Sequence, residues 1–490
     1  MILTLIRREV LDKIFSAQFL IIMLLCIFLI PLGMFISLKE FEKQQSNYME
    51  NAQQYYTKSQ GKVNFNFQAE GYRSPSALNI FSSGLNDYLP HKVMTGRDKG
   101  YTIEIKNRQS NLIAILFGRI DFTLIVTSFL SILSIIFTFS CVSGEKESGS
   151  IRLIFSNSIQ KWKFVVAKIF GNYILFCIPF LLSIIIGLII INTSSYVPIF
   201  TSDFLLPFLF IIFITLLLIL LLFNLGFFIS TLTHSSLTSI IALLFIWVFC
   251  AFIIPKVSPM IAQIIYPIDS SETFETKRQA FITDIEQEYN NKLKILYEQK
   301  LSAYNINVDD LRDLMDNSTQ EARREYDIEK NVLDLEFQER FQHEMSKLDK
   351  SYYDNQQTQY SISRKIARIS PISSYVSLMA EVCHTGFAEI ENFHKQAAIF
   401  QLYVQENVYS YWIKKRYAAG GRTTEGYTLK EGLNYKTFKP QDIPVPEFRY
   451  NPLTFDKVIN HIWFEFLLIV FFCIVFFLFG FVNFLRYDVR

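Results

Sequence analysis

Charge is scarce in this sequence, and what there is nearly cancels. Asp, Glu, Lys and Arg make up 19% of 490 residues, and the formal net charge is +2. A soluble chain with 51% hydrophobic and 16% aromatic residues could not hide its apolar surface behind so few charges. The balance also excludes a global field for polyanions, so no nucleic-acid partner is expected. Cysteine is sparse and badly placed for a framework. Cys26, Cys141, Cys177, Cys250 and Cys473 lie in or at the ends of apolar runs, and Cys383 lies in a polar region. This placement supplies neither a disulfide scaffold nor a metal pair, and reads as small apolar side chains in spans. The six histidines (His91, His234, His343, His384, His394, His461) are dispersed, and His461 reads as a polar residue heading a span. His384 and His394 are ten apart, a poor spacing for one helix face. The chain has no His-Glu-x-x-His and no Gly-x-Ser-x-Gly. A phosphate-binding loop needs Gly, four residues, then Gly-Lys-Ser/Thr. The nearest string, Gly144-Glu145-Lys146-Glu147-Ser148-Gly149-Ser150, has no Lys after its second Gly. Nucleotide hydrolysis by that route is excluded, and no catalytic residue, metal site or cofactor is expected in this chain.

What is present is a set of long apolar runs. Residues 14–38, 119–142, 164–191, 204–230, 237–255 and 462–485 are each about the length that crosses a bilayer as a helix. Pro31 and Gly33 sit in the first, which lacks a small-residue cleavage site and is read as a permanent span. Pro255-Lys256 is read as the end of the fifth. Residues 1–13 alternate between an apolar stripe (Leu3, Ile6, Val10, continuing to Ile14) and a charged one (Arg7, Arg8, Glu9, Asp12, Lys13), as for a helix lying in the membrane interface.

Two polar stretches separate the spans. In residues 39–118, Phe41 to Tyr56 has the pattern of a helix, Gly61 to Ile105 suits loop and strand equally, and Asn111 to Phe117 reads as a short interfacial segment. Residues 256–461 begin with two stripes. Ile282, Ile285, Tyr289, Leu293 and Leu296 form one, and Phe337, Phe341, Met345, Leu348 and Tyr352 the other. They suggest an antiparallel helical hairpin across Phe274 to Tyr352, its tip near Ser302 to Asn317; a helical domain without such a seam is the alternative. The broader apolar pattern of Ile369 to Tyr411 suits a base on which the hairpin stands. Tyr417 to Phe448, rich in Gly and Pro, reads as loop. The expected fold is therefore an all-α polytopic membrane protein with six transmembrane helices and mostly helical extracytoplasmic insertions. Basic residues mark the cytoplasmic side. Arg7, Arg8 and Lys13, then Lys146, Arg152, Lys161 and Lys163, then Arg486 and Arg490 in the tail 486–490, fall on one side, while residues 192–203 carry no Lys or Arg. Both termini are expected in the cytoplasm of a cell whose plasma (inner) membrane holds the chain.

The stretch that joins spans two and three, residues 143–163, is the most distinctive. Glu145 and Glu147 sit between Gly144 and Gly149. They read either as plain solvated charge or as part of a capped amphipathic connection. In the second case Ser148 or Ser150 starts a short helix with Ile151, Leu153, Ile154 and Phe155 on its apolar side, a knob for a partner to grip. Asp121 is the acid at the head of span two, read either as hydrated at the interface or as functional.

Arg119-Ile120-Asp121-Phe122, the span, and Ser143-Gly144-Glu145-Lys146-Glu147-Ser148-Gly149-Ser150-Ile151-Arg152-Leu153 resemble the permease subunits of ABC transporters of the ABC-2 type. The order of spans resembles the branch with a large extracytoplasmic region before the last span, which includes relatives of the nitrous-oxide-reductase maturation permease. Asp121, Ser143, Gly144, Glu145, Glu147, Gly149 and Leu153 match the family pattern; Ser150-Ile151 stands where Thr-Leu is usual, and Ser158 where Pro is usual. The resemblance implies a non-catalytic membrane subunit. ATP and Mg would belong to a separate ABC ATPase subunit, and a second permease chain, identical or not, would complete a dimer. Gly144, Glu145, Glu147, Gly149, Arg152 and Leu153 would form the coupling element. The cycle would drive export, or mechanical work on an extracytoplasmic protein, in contact with membrane lipid. The alternative is a membrane-anchored sensor or scaffold whose outer helical region binds an envelope protein or ligand; purification with an ATPase discriminates the two.

The distribution of basic residues fixes an expected topology. In a cysteine-free background, a single cysteine at Asp313 is expected to react with a membrane-impermeant thiol reagent in cells with an opened outer barrier, and one at Ser158 is not. The reverse labelling would invert the assignment.

Overall fold

The computed structural model describes residues 2–60, 63, 67–96, 101–105, 119–156, 160–303, 320–409 and 444–487. The interfacial segment expected at Asn111 to Phe117, the proposed hairpin tip and most of the Gly- and Pro-rich loop lie outside the described residues. Among the described residues six helices are long and apolar enough to cross a membrane. They are α2 (Ala17–Ser59), α3 (122–138, within the span Phe122–Glu147), α6 (Lys161–Ile191), α7 (Ser202–Leu232), α8 (Ser236–Ile265) and α13 (Phe455–Arg486). The chain is a polytopic, predominantly helical membrane protein. Helix α7 is its axis: it packs along α13 on one side and α3 on the other, and Ile214, Leu218, Leu221 and Leu222 are buried along it. Helix α2 lies along α6.

Apolar side chains gain little from meeting each other in lipid, so close packing and internal hydrogen bonds hold such a bundle. Helix α3 carries a polar stripe, Thr127, Ser131, Ser134 and Thr138, each hydroxyl returned to a carbonyl three or four residues back. Ser131 Oγ also accepts from Trp247 Nε1 of α8 at 2.7 Å. Asn224 of α7 donates to the Cys473 carbonyl of α13 at 3.1 Å.

Two boundaries depart from the sequence reading. The helix of the first span does not stop at Leu38: α2 continues without a break to Ser59, so the helix expected at Phe41 to Tyr56 is its extension. Nor does Pro255 end the fifth span, whose helix continues to Ile265. Phe249–Ile253 is a π-helical turn, and Pro255 falls in the first turn of the α-helical segment after it. A proline costs little there, because widened and first turns leave backbone groups unpaired in any case.

At one end of the bundle, α2 and the later insertion enclose a small sheet formed within Gly61 to Ile105, the stretch that suited loop and strand equally. Strands β1 (Ala69–Tyr72), β2 (Pro90–Thr95) and β3 (Tyr101–Ile105) run antiparallel in that order, Gly71 facing Val93 and Val93 facing Ile103. Phe393, Ala397 and Phe400 of α12 (Phe387–Val404) pack on Ala69 and Val93, so the two insertions share one core. Helices α9 (Ser271–Ala303) and α10 (Gln320–Ala367) pair along the expected stripes: Ile285 with Phe341 and Met345, and Phe274 stacked on Tyr352 at 3.9 Å. Helix α11 (Pro371–Val382) packs on α13 and α7, with the Tyr375 hydroxyl 2.9 Å from Thr215 Oγ1.

The foot of α10 is fixed to the last span by charge. Glu465 of α13 is fully buried and receives Arg364 at 2.9 Å and Arg368 at 2.7 Å. The Arg368 guanidinium also lies 4.2 Å from the Phe464 ring centre. Removing one partner of a buried ion pair strands the other, at a cost of about 3–5 kcal/mol. Glu465→Gln is therefore expected to destabilise the detergent-solubilised protein by that amount in thermal unfolding. A loss below about 1 kcal/mol would show that the arginines are solvated without it.

Candidate functional site: the junction of spans two and three

The motif string lies at the bundle end opposite the sheet. Helix α3 stops at Thr138; after a turn, α4 (Ser143–Glu147) and α5 (Ser150–Ser156) lead toward α6. The break frees backbone N–H groups, and one serine takes two of them: Ser230 Oγ of α7 accepts from Val142 N at 3.0 Å and Ser143 N at 2.9 Å. Gly149, between α4 and α5, has φ of +70°, a left-handed value that favours glycine, and a Cβ there would meet nothing within 4 Å. Backbone conformation, not space, constrains that position. At Gly144 a Cβ would come within 3.3 Å of Ser140 Cβ and 3.5 Å of Ser236 Oγ.

Three consecutive charges of α4 go to three different elements. Lys168, in the first turns of α6, is nearly enclosed and pairs with both Glu145 and, at 2.7 Å, Glu9 of α1 (Ile2–Ile14). Lys146 Nζ donates to the carbonyls of Thr231 at 2.5 Å and Thr233 at 3.1 Å, where α7 ends. Glu147 accepts from Ser236 N at 2.9 Å, where α8 begins. A cation thus meets the negative end of one helix and an anion the positive end of the next, the arrangement that helix dipoles favour. Glu145 is enclosed in an ion pair, whereas Glu147 stays exposed while accepting the first amide of α8.

Helix α5 has two faces. Ile151 is buried, and Ile154 and Phe155 pack toward Phe164 and Phe484. Arg152 and Leu153 point outward, Leu153 with 71% of its surface exposed. The other termini meet here. Lys161 Nζ donates to the carbonyls of Leu485 at 2.9 Å and Tyr487 at 2.8 Å. Helix α1 lies close on α6 where Gly171 gives it room: a Cβ at Gly171 would be 3.0 Å from Glu9 Cβ.

Asp121 is elsewhere. It caps the start of α3 through Leu124 N at 2.7 Å, and accepts from the Ser83 amide and hydroxyl, each at 2.7 Å, at the sheet end. Arg119 turns to Asp87 at 2.6 Å and Glu40 at 3.8 Å. Asp121 therefore joins span two to the first insertion and takes no part in the α4–α5 junction. The residues that pattern reading passed over are Glu9 and Lys168. Glu9 counted as part of the outer charged stripe of α1, yet it turns inward. The available signal was Lys168 itself, the one charge inside the third apolar run. Among the described residues no group of three His, Cys, Asp or Glu side chains is arranged to hold a metal ion.

Residues 3–489 match the family described as ABC-2 family transporter protein. The chain belongs to that family. No curated protein and no solved structure matched it. A family match over almost the whole length takes in the six spans and both insertions together, so the α4–α5 junction is part of an ABC-2 membrane domain.

The triad makes a prediction with an internal control. Lys168→Met leaves two carboxylates unpaired and is expected to cost about 3–5 kcal/mol in thermal unfolding. Adding Glu9→Gln and Glu145→Gln is expected to restore most of that loss, because neutral partners no longer need a counter-ion. If the three losses instead add, the groups act independently.

Proposed function

We propose that this chain is the permease subunit of an ABC transporter, driven by a separate ATPase that docks on α4 and α5. The observation that carries the reading is the division of labour in those helices. The charges of α4 tie α1, α6, α7 and α8 into one unit, while Arg152 and Leu153 of α5 are left facing outward. A push on α5 therefore reaches four elements without passing through a flexible loop. On this reading α1, α4, α5 and the C-terminus lie in the cytoplasm of a cell with the chain in its plasma (inner) membrane, as the basic residues favour. The sheet and the α9–α10 hairpin lie outside. A second permease chain pairs with the first, and ATP and Mg belong to the ATPase. Motion from α4 passes along α3, crosses to α8 through the Trp247–Ser131 bond, and reaches the hairpin that follows α8. The work done is export or a mechanical action on an extracytoplasmic protein.

The test is reconstitution with the ATPase that co-purifies from native membrane. Leu153→Asp puts a charge on the outward face without touching the anchors. It is expected to reduce permease-stimulated ATP hydrolysis at least tenfold, with unchanged thermal stability. Glu145→Gln with Gly149→Ala is expected to reduce stimulation as well, but through a loosened junction and with a lower unfolding midpoint. Full stimulation in Leu153→Asp would remove α5 as the docking surface.

A further inference from the structure

Next to the sheet, a cavity of about 300 Å³ opens between the outward extension of α2 and the segment joining β1 to β2. Gln44, Tyr48 and Asn51 of α2 form one wall, and Tyr72, Arg73 and Asn86 line the other. Amides and phenols make up much of the lining, which also holds the carboxylates of Glu50 and Asp87 and the imidazole of His91. Arg73 is the cation of the lining, and only 9% of its surface is exposed.

A buried guanidinium ordinarily has a carboxylate on it, since it cannot shed its proton. Among the described residues Arg73 has neither an ion pair nor a side-chain hydrogen bond. Its guanidinium lies 5.8 Å from the Tyr450 ring centre, and burial pushes its pKa down. None of the three acids nearby touches it. Asp87 and Glu50 both line the cavity: Asp87 holds Arg119 at 2.6 Å, and Glu50, exposed to solvent, accepts from Gln54 at 3.0 Å. Glu389, behind Arg73, accepts from the Tyr450 hydroxyl and lies 3.3 Å from His384 Nδ1. Its charge reaches Arg73 through space without contact.

We propose that this cavity is a binding site for a small molecule bearing one oxyanion group, carboxylate or phosphate, with Arg73 as its counter-charge. The guanidinium fork matches either oxyanion with two parallel hydrogen bonds. The side chains of Asn47 and Asn51 make no hydrogen bond among the described residues and are exposed along the lining, where each amide offers a donor and an acceptor to hydroxyl or amide groups of the ligand body. The volume suits a molecule at the small end of the usual range. Gln44 lies only about 9 Å along α2 from Leu38, where the first apolar run ends. The oxyanion can thus belong either to a soluble molecule or to a lipid headgroup.

The full chain in phosphatidylcholine nanodiscs, titrated with inorganic phosphate or acetate at fixed ionic strength, tests the site by thermal unfolding. A saturable rise in the unfolding midpoint is expected, with at least tenfold weaker affinity in Arg73→Gln. Asn51→Trp, which blocks the mouth and leaves Arg73 in place, is expected to abolish the response; it decides the matter if Arg73→Gln does not fold. Stabilisation by phosphatidylglycerol nanodiscs that is lost in the same variants, without a response to the soluble anions, assigns the oxyanion to a lipid headgroup. No saturable response to phosphate, acetate or phosphatidylglycerol, or equal responses in the native chain and both variants, overturns the proposal. The readout needs no ATPase, so it stands or falls separately from the coupling of α5 to ATP hydrolysis.

Discussion

An ammonium group that enters a membrane helix must bring its counter-charges with it, and Lys168 does so by recruiting two other parts of the chain. Water is too scarce there to solvate it, and lipid tails offer nothing. Glu9 comes from the amphipathic helix at the start of the chain and Glu145 from the connection after span two. Each is fixed in place because leaving would cost Lys168 half of its pairing. The same requirement sets the angle of α1 against α6, for which Gly171 leaves room, and sets where α4 sits. Arg152 and Leu153 can be free on the surface only because their neighbours are not.

The polar groups of the membrane bundle obey the same requirement at smaller scale. The hydroxyls of α3 return to their own helix, Trp247 finds Ser131, and Asn224 finds Cys473. At the opposite end the roles reverse, with one carboxylate, Glu465, and two arginines. The bundle therefore carries a cation held by two anions where α1 docks, and an anion held by two cations where the hairpin docks. Both are places where an element outside the bundle is fastened to a span by charge as well as by packing.

The six spans were legible because the bilayer imposes a length and a polarity that no other environment demands of a helix. The hairpin was legible because its two helices meet along narrow stripes, and Ile285 meets Phe341 as that pattern implies, although α10 also packs along the end of α8. The sheet was only half legible. Strands of four to six residues among scattered Gly and Pro carry little signal, and their partner, α12, lies some 300 residues later in the chain. The charged string stood out by composition, but which of its carboxylates faced water could not be read locally. Glu145 is satisfied by α6 and Glu147 by the first amide of α8, and neither partner is near in sequence. Pro255 misled because proline is read as a stop, whereas a π-helical turn immediately before it lets the helix continue.

The unbroken run of α2 has a mechanical meaning. A helix of 43 residues is about 65 Å long, and roughly 30 Å of it stands beyond Leu38. Its inner half shares a face with α6, which bears Lys168, and its outer half forms a wall of the cavity at Arg73. The two halves belong to one continuous helix, with Pro31 inside the inner half. A tilt of about 10° at the membrane surface would swing the outer tip by about 5 Å. That is enough to widen or close a cavity of this size, so whatever occupies it would register the angle of the first span directly.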